Sequence, residues 1–294
     1  MIGHTLSLRA GLFRFPLFLV LAAFAFGQAA APTSRSGRRP PPTPANPALP
    51  SLVLIGDSTV RNGSGEGAGG QWGWGEPLAD FFEAQKLNVV NRAVGGLSSR
   101  TYLTGGHWER ALALVKAGDV VLMQFGHNDN GALNDEPPGP LRARGTLKGT
   151  GEETREIDNV LTKQHEVVHA YGWYLKRFIA DTKAKGATPM VCSLVPRKTW
   201  QDGKIVREAY ADWAADAARQ GGADFIDLNR LVAARYEGLG PEKVEPLFGD
   251  PHTHTSRAGA ELNAACVVVG LKALPANPLA HAFSARGREV AATK

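Results

Sequence analysis

The stretch SLVLIGDST, residues Ser51 to Thr59, runs four consecutive aliphatic residues into a glycine and then into Asp57, Ser58 and Thr59. An unbroken apolar run of this length, ended by turn-forming residues, fits a strand covered on both faces, as in a parallel sheet between helices. In open sheets of that kind, ligands sit beyond the carboxyl ends of the strands. The three polar residues after Gly56 therefore occupy a place where chemistry is expected.

Outward from this stretch the same pattern repeats. VVNRAV (89–94), DVVLMQFG (119–126), TPMVCSLV (188–195) and ADFIDL (223–228) read as further strands. Between them WGEPLADFFEAQ (74–85), HWERALALVKAG (107–118), EVVHAYGWYLKRFIADTKAKG (166–186), REAYADWAADAARQGG (207–222) and SRAGAELNAACVVVGLKAL (256–274) read as amphipathic helices. Alternating strands and helices predict an α/β fold with three layers and a five-stranded, mainly parallel sheet. No internal repeat interrupts the pattern.

The chain before Ser51 is different. Arg9 and Arg14 precede the 13-residue apolar run FPLFLVLAAFAFG, and Ala29, Ala30 and Ala31 follow it. This order of positive, apolar and small residues predicts a secretory signal peptide over 1–31, with an uncleaved anchor as the alternative. The run falls short of the about 20 residues of a membrane span, so no stable membrane association is expected once the signal is cleaved. Residues 32–50, rich in proline, read as a linker, 51–274 as the domain, and 275–294 as a loosely ordered tail. A secreted or periplasmic location follows. The formal charge of +5 comes from Arg9, Arg14, Arg35, Arg38 and Arg39, whereas from Ser51 onward 28 basic and 28 acidic residues cancel. The charge describes the leader, and no nucleic-acid partner is expected. Cys192 and Cys266 leave two readings open, one disulfide or two buried thiols.

Polar motifs follow the first three strands: GDST, GGLSSR (95–100) and GHNDN (126–130). A fourth polar cluster, FGDPHTHTS (248–256), stands before the last helix. Ser58 at a strand end is either a helix cap or a nucleophile awaiting a base. Gly96 and Asn128 are placed to donate to an oxyanion, or else to close turns. A late histidine completes the set needed for acyl transfer.

These blocks resemble those of the SGNH or GDSL hydrolases: Ser58 in IGDST, Gly96 in NRAVGGLSSRTY, Asn128 in GHND and the late histidine of PHTHTS. GWG (73–75), RGTLKGTGEETRE (144–156), HAYGWYLK (169–176), VPRKTW (195–200) and HTHTSRAGAELNA (252–264) are similar to the rhamnogalacturonan acetylesterase group of carbohydrate esterases. The resemblance spans about residues 52 to 273. It implies a flavodoxin-like fold and a serine esterase that removes O-acetyl groups from plant cell-wall polysaccharide, with no metal and no organic cofactor. It makes Ser58 the nucleophile and His254 the base, with the oxyanion hole formed by the N–H groups of Ser58 and Gly96 and the Asn128 amide.

The family pattern sets an aspartate three residues before the histidine, where this chain has Pro251. Asp250 stands four before His254. Either a loop one residue longer carries the Asp250 carboxylate to the imidazole, the assignment made here, or a backbone carbonyl orients the ring. His252 could pair with His254 on a metal, but no third ligand stands at a fitting spacing, so it is assigned to the site lining. Asp57, His252, Trp200 and Arg144 are the expected substrate-facing residues. Arg144 lies with Lys148 and Glu152 in a long connection from Asn130 to about His165, far beyond the usual ~4 to 6 residues. Trp72, Trp74 and Trp200 flank strand ends, where indole faces either stack on sugars or pack into the core; Trp173 and Tyr174 read as helix packing. The expected partner is an acetylated polysaccharide or oligosaccharide, met by a monomer. The alternatives are a lipid or thioester hydrolase of the same superfamily, and a catalytically silent carbohydrate-binding protein.

Overall fold

The computed structural model describes residues 1–3, 41–61, 68–135 and 138–291. Apart from residues 1–3, the expected signal peptide lies outside the described residues, as does the linker up to residue 40.

In chain order the strands are β1 (Ser51–Gly56), β2 (Asn88–Asn91), β3 (Val120–Gln124), β4 (Thr154–Asp158), β5 (His165–His169), β6 (Thr188–Cys192), β7 (Trp200–Gln201), β8 (Lys204–Ile205) and β9 (Asp224–Ile226). The helices are α1 (Ser99–Thr104), α2 (His107–Leu112), α3 (Tyr171–Ala184), α4 (Ala209–Gly221), α5 (Leu228–Leu239), α6 (Pro241–Val244), α7 (Arg257–Ala273) and α8 (Ala285–Glu289). The five strands read from the sequence form one sheet in the order β2-β1-β3-β6-β9, every pairing parallel. β1 is an interior strand: Leu52 pairs with Val89 on one side and Val120 on the other. The chain runs outward from β1 to β2 and then returns past it to β3, so the strand order reverses between β1 and β3. A crevice at such a switch point is where open α/β sheets bind ligands.

The unbroken apolar run of β1 is explained by layers on both faces. Leu52 and Leu54 join one core with Leu228, Val232 and Tyr236 of α5 and Val267, Val268 and Leu271 of α7. Val53 and Ile55 join the other, with Leu175, Phe178 and Ile179 of α3 and Ala211, Ala214 and Ala218 of α4. These β1 side chains are 0% exposed, and full burial of each stabilises the fold by about 1.5–3 kcal/mol. Cys192 and Cys266 are free thiols buried in the first of these cores. Among the described residues no helix is long and apolar enough to cross a membrane.

Several elements differ from the sequence reading. Only Pro77–Phe81 of the expected helix 74–85 is helical, as a 3-10 turn, because Phe82 turns extended and bridges to Phe283. Residues 166–169 belong to β5, which pairs antiparallel with β4 inside the long connection, and the helix begins only at Tyr171. Helix α5, not foreseen, starts at once after β9, where the Asp227 carboxylate caps the Arg230 N–H. The tail after Leu274 is not loosely ordered: Leu279, Ala282 and Phe283 are buried, Phe283 stacks on Phe82 at 5.2 Å, and Ser284 caps α8. A few well-placed apolar residues dock it, too few to show as a hydrophobic period.

Candidate active site

Ser58 sits in the turn directly after β1. The Asp57 carbonyl accepts from the N–H groups of Val60 and Arg61, at 3.2 and 2.9 Å. Among the described residues the Ser58 hydroxyl caps no backbone N–H; its Oγ lies 2.8 Å from His254 Nε2. The segment Trp72–Gly75 lies flat on this turn, with Trp74 N–H donating to Thr59 O and Gly75 N–H to Val60 O. A side chain at Gly73 would strike the Val60 backbone at 2.3 Å, so the approach requires glycine.

Asp57, expected to face substrate, is fully buried and points inward. Its Oδ1 accepts from both the N–H and the hydroxyl of Thr59, each at 2.8 Å. Residues i and i+1 at a strand end point to different sides, which places Ser58 outward and Asp57 below it.

The histidine loop settles where Asp250 goes. Its Oδ2 lies 2.5 Å from His254 Nδ1. Its Oδ1 accepts from the N–H groups of His252, Thr253 and His254, at 3.0, 2.6 and 3.0 Å. The residue between, Pro251, has no N–H to leave unpaired. The loop thus wraps around the carboxylate, and the additional residue is absorbed in the wrap. Burial alone would raise the Asp250 pKa; the Thr253 N–H, the His254 ring and the two other N–H groups together hold it down at about 2. Trp72 and Thr255 are bridged, with Trp72 N–H donating to Thr255 O at 2.7 Å, which ties this loop back to the segment lying on the Ser58 turn.

Gly96 has φ 81 with nothing within 4 Å of a Cβ built on it, so glycine is needed there for its backbone conformation rather than for space. Asn128, 8% exposed, donates one amide hydrogen to Leu97 O at 3.0 Å, beside Gly96. The second hydrogen of that amide is left for a ligand. Arg144 Nη1 donates to the Gly96 carbonyl at 3.3 Å, so the long connection does reach this rim.

The other expected residues separate. His252 is exposed, its Nδ1 2.5 Å from Thr253 Oγ1, and its carbonyl accepts from Lys198 N–H at 2.8 Å. Among the described residues no group of three or more His, Cys, Asp or Glu could hold a metal ion. Trp200 is half-buried in the β7–β8 ribbon, two residues past Lys198, with part of its surface packed on the core. Trp74 is core, its Nε1 donating to Gln124 Oε1 at 2.8 Å. Glu152 pairs with Lys176 at 2.7 Å. Lys148 and Arg155 line a cavity of about 370 Å³ of mixed polar and apolar character, with Asp129, Asn130 and Leu147, next to Asn128.

Two residues that sequence reasoning did not single out flank Asn128. Asp129 is buried and accepts from the Ser99 N–H at 3.0 Å, the Ser99 hydroxyl and the Gly126 N–H at 3.0 Å. Burial pushes its pKa up to about 7, the Asp57 charge adding to the shift against these hydrogen bonds. His127 is buried against Asp57. Their signal was the run of polar residues in GHNDN directly after a fully apolar strand.

A parallel three-layer sheet with a hydroxyl, an imidazole and a carboxylate joined in line at its switch point defines the serine hydrolases of SGNH type. The profile of the GDSL-like Lipase/Acylhydrolase family matches residues 54–262, and the chain belongs to that family of ester hydrolases. It is 29% identical over 214 residues to a rhamnogalacturonan acetylesterase of Emericella nidulans, covering 72% of this chain and 80% of that protein. With the rhamnogalacturonan acetylesterase RhgT of Bacillus subtilis it shares 26% over 255 residues, covering 81% and 96%. Among solved structures, YxiM of Bacillus subtilis superposes with TM-score 0.60 at 25% identity; the match covers 76% of this chain and spans 56% of that protein's length. A variant of Axe2, an acetyl-xylooligosaccharide esterase of Geobacillus, matches in fold with TM-score 0.51 at 20% identity, covering 75% and 93%.

Proposed function

We propose that this chain is an exported serine O-acetylesterase that removes acetyl groups from acetylated pectic polysaccharide of the rhamnogalacturonan type. The observation that carries the reading is the unbroken line from Ser58 Oγ to His254 Nε2 at 2.8 Å and from His254 Nδ1 to Asp250 at 2.5 Å. In this reading Ser58 Oγ attacks the acetyl carbonyl as His254 Nε2 takes its proton, and Asp250 holds the imidazole in the productive tautomer and stabilises the imidazolium. The N–H groups of Ser58 and Gly96 and the free hydrogen of the Asn128 amide receive the oxyanion. His254 returns the proton to the departing sugar hydroxyl, and water activated by the same base releases acetate from the acetyl-serine intermediate.

The names of the relatives support a polysaccharide carrying uronic acids, and so does the rim. Lys148 and Arg155 line the cavity beside Asn128, and neither is paired with a carboxylate among the described residues. Arg144 stands at Gly96. These cations favour a polar, anionic substrate over a long acyl chain. The signal-like leader supports export to the periplasm or medium, and the protein acts as a monomer on a soluble or wall-bound chain.

The test is acetate release by the purified domain from acetylated rhamnogalacturonan, acetylated xylan and a long-chain ester. Release from the first above the others is expected. Preference for the long-chain ester, or no release from any substrate with Ser58→Ala indistinguishable from the parent, would overturn the reading.

A further inference from the structure

Two buried ionisable residues immediately precede two of the groups assigned above: Asp57 precedes Ser58, and His127 precedes Asn128. They meet beneath the site, across the ends of β1 and β3. His127 Nδ1 lies 3.4 Å from Asp57 Oδ2, with the side chains 3% and 0% exposed. The contact does not meet hydrogen-bond geometry, and among the described residues neither atom has another hydrogen-bond partner.

The other ring nitrogen fixes what this contact can be. His127 Nε2 lies 3.0 Å from the Val195 carbonyl oxygen. A carbonyl only accepts, so Nε2 carries a hydrogen. Were that the ring's only proton, Nδ1 would turn a bare lone pair toward a buried carboxylate oxygen, leaving two acceptors facing each other without water, an arrangement proteins avoid. One more proton removes the conflict. Its place follows from the opposite oxygen: Asp57 Oδ1 already accepts two hydrogen bonds from Thr59, and such donors favour the ionised carboxylate over the acid.

We propose that His127 carries a proton on Nδ1 as well as on Nε2, forming a buried imidazolium–carboxylate pair with Asp57 that holds the Ser58 turn and the Asn128 turn in register. The surrounding charges are consistent with a cation at this point. Asp129, on the same turn as His127, adds a second buried carboxylate near Asp57. Arg197, from the loop after β6, donates to the backbone carbonyl of His127 at 3.4 Å rather than to its ring. From α3, the Tyr171 phenol also stands near the Asp57 charge. Both members are positioning residues: Asp57 is fully buried, both His127 ring nitrogens are turned to protein oxygens rather than to the site, and a buried pair of this kind specifies geometry more than it adds stability. The existence of the pair stands on the geometry alone; its effect on turnover rests on the esterase reading.

Nitrogen-15 NMR of protein labelled at histidine tests the pair without reference to activity. At pH 8 one imidazole, assigned to position 127 by its loss in His127→Leu, is expected to show both ring nitrogens protonated. In Asp57→Asn the same ring is expected to lose the Nδ1 proton, because the new amide supplies a donor in its place. A bare Nδ1 at position 127 in the parent protein overturns the proposal. For the positioning role, His127→Leu, shown folded by circular dichroism, is expected to lower kcat by about 10- to 100-fold with KM little changed. Asp57→Asn, which keeps donor and acceptor matched, is expected to lose less. A folded His127→Leu protein with parental kcat would refute that role. Absence of any acetate release from the parent would count against the esterase reading, while the NMR result would still decide the pair.

Discussion

At the scale of single residues, Asp250 shows how a motif survives an insertion. Its carboxylate accepts three backbone N–H groups on one oxygen and the His254 ring on the other, so the four-residue spacing closes without an unpaired donor. Because an asparagine at this position would turn an N–H toward Nδ1 and favour the wrong tautomer, Asp250→Asn is expected to lose activity strongly, though less than His254→Ala, which is expected to lose roughly 10⁴-fold in turnover. His252→Ala should change turnover little, since His252 is exposed and bonded within its own loop. Steady-state kinetics on an acetyl ester check the order, and a larger loss for His252→Ala than for His254→Ala would reverse the assignment. The meeting of Ser58 and His254 was legible because Ser58 follows a strand and His254 stands before the last helix, each in a distinctive polar block. The inward turn of Asp57 was not: adjacency to Ser58 in sequence says nothing about which way the side chain points.

At the scale of elements, the five strands of the sheet were legible because burial on both faces leaves continuous apolar runs. The β4–β5 hairpin was not, because β4 is mostly exposed and carries charged residues, and the short strands blend into a polar connection. A buried arginine helps to hold that connection. Arg100 of α1, 0% exposed, makes a two-pronged pair with Glu166 of β5, each bond 2.7 Å, and donates to the carbonyls of Leu133 and Gly145 at 2.9 and 2.8 Å. Removing one partner of a buried pair costs about 3–5 kcal/mol because the other charge is stranded. Glu166→Gln is therefore expected to lower the unfolding free energy measured in urea by an amount of that order, and an unchanged value would show that the connection is held by other contacts. In the C-terminal segment, Phe283→Ala is expected to cost about 3–5 kcal/mol, measured the same way. A loss below about 0.5 kcal/mol, the level of a surface change, would mean that the tail is not docked on Phe82.

At the scale of the whole molecule, two carboxylates shape stability in opposite directions. Asp250 is held at about 2 in the folded protein against an ordinary 3.8; a depressed group contributes stability above the unfolded value and loses it as pH falls from there through about 2. Asp129 is raised from 3.8 to about 7; a raised group contributes below the unfolded value, and that contribution is lost as pH rises through about 7. Together they place the favourable window between these limits. Thermal unfolding scanned across pH is expected to show stability falling on both sides of the ordinary carboxylate value, and Asp129→Asn should flatten the decline from there up to about pH 7 even though it lowers stability by mismatching the Gly126 N–H. A parental slope in Asp129→Asn between the ordinary carboxylate value and about pH 7 would assign that decline to another group.

The sheet, the switch point and the polar blocks converge on one event, transfer of an acetyl group to Ser58. Rapid acid quench during turnover of an activated acetyl ester, followed by peptide mass spectrometry, reads that event directly. The expected result is a single acetyl group on the peptide containing Ser58, absent in Ser58→Ala; turnover with acetate release and no acetyl on Ser58 at any quench time would contradict the account.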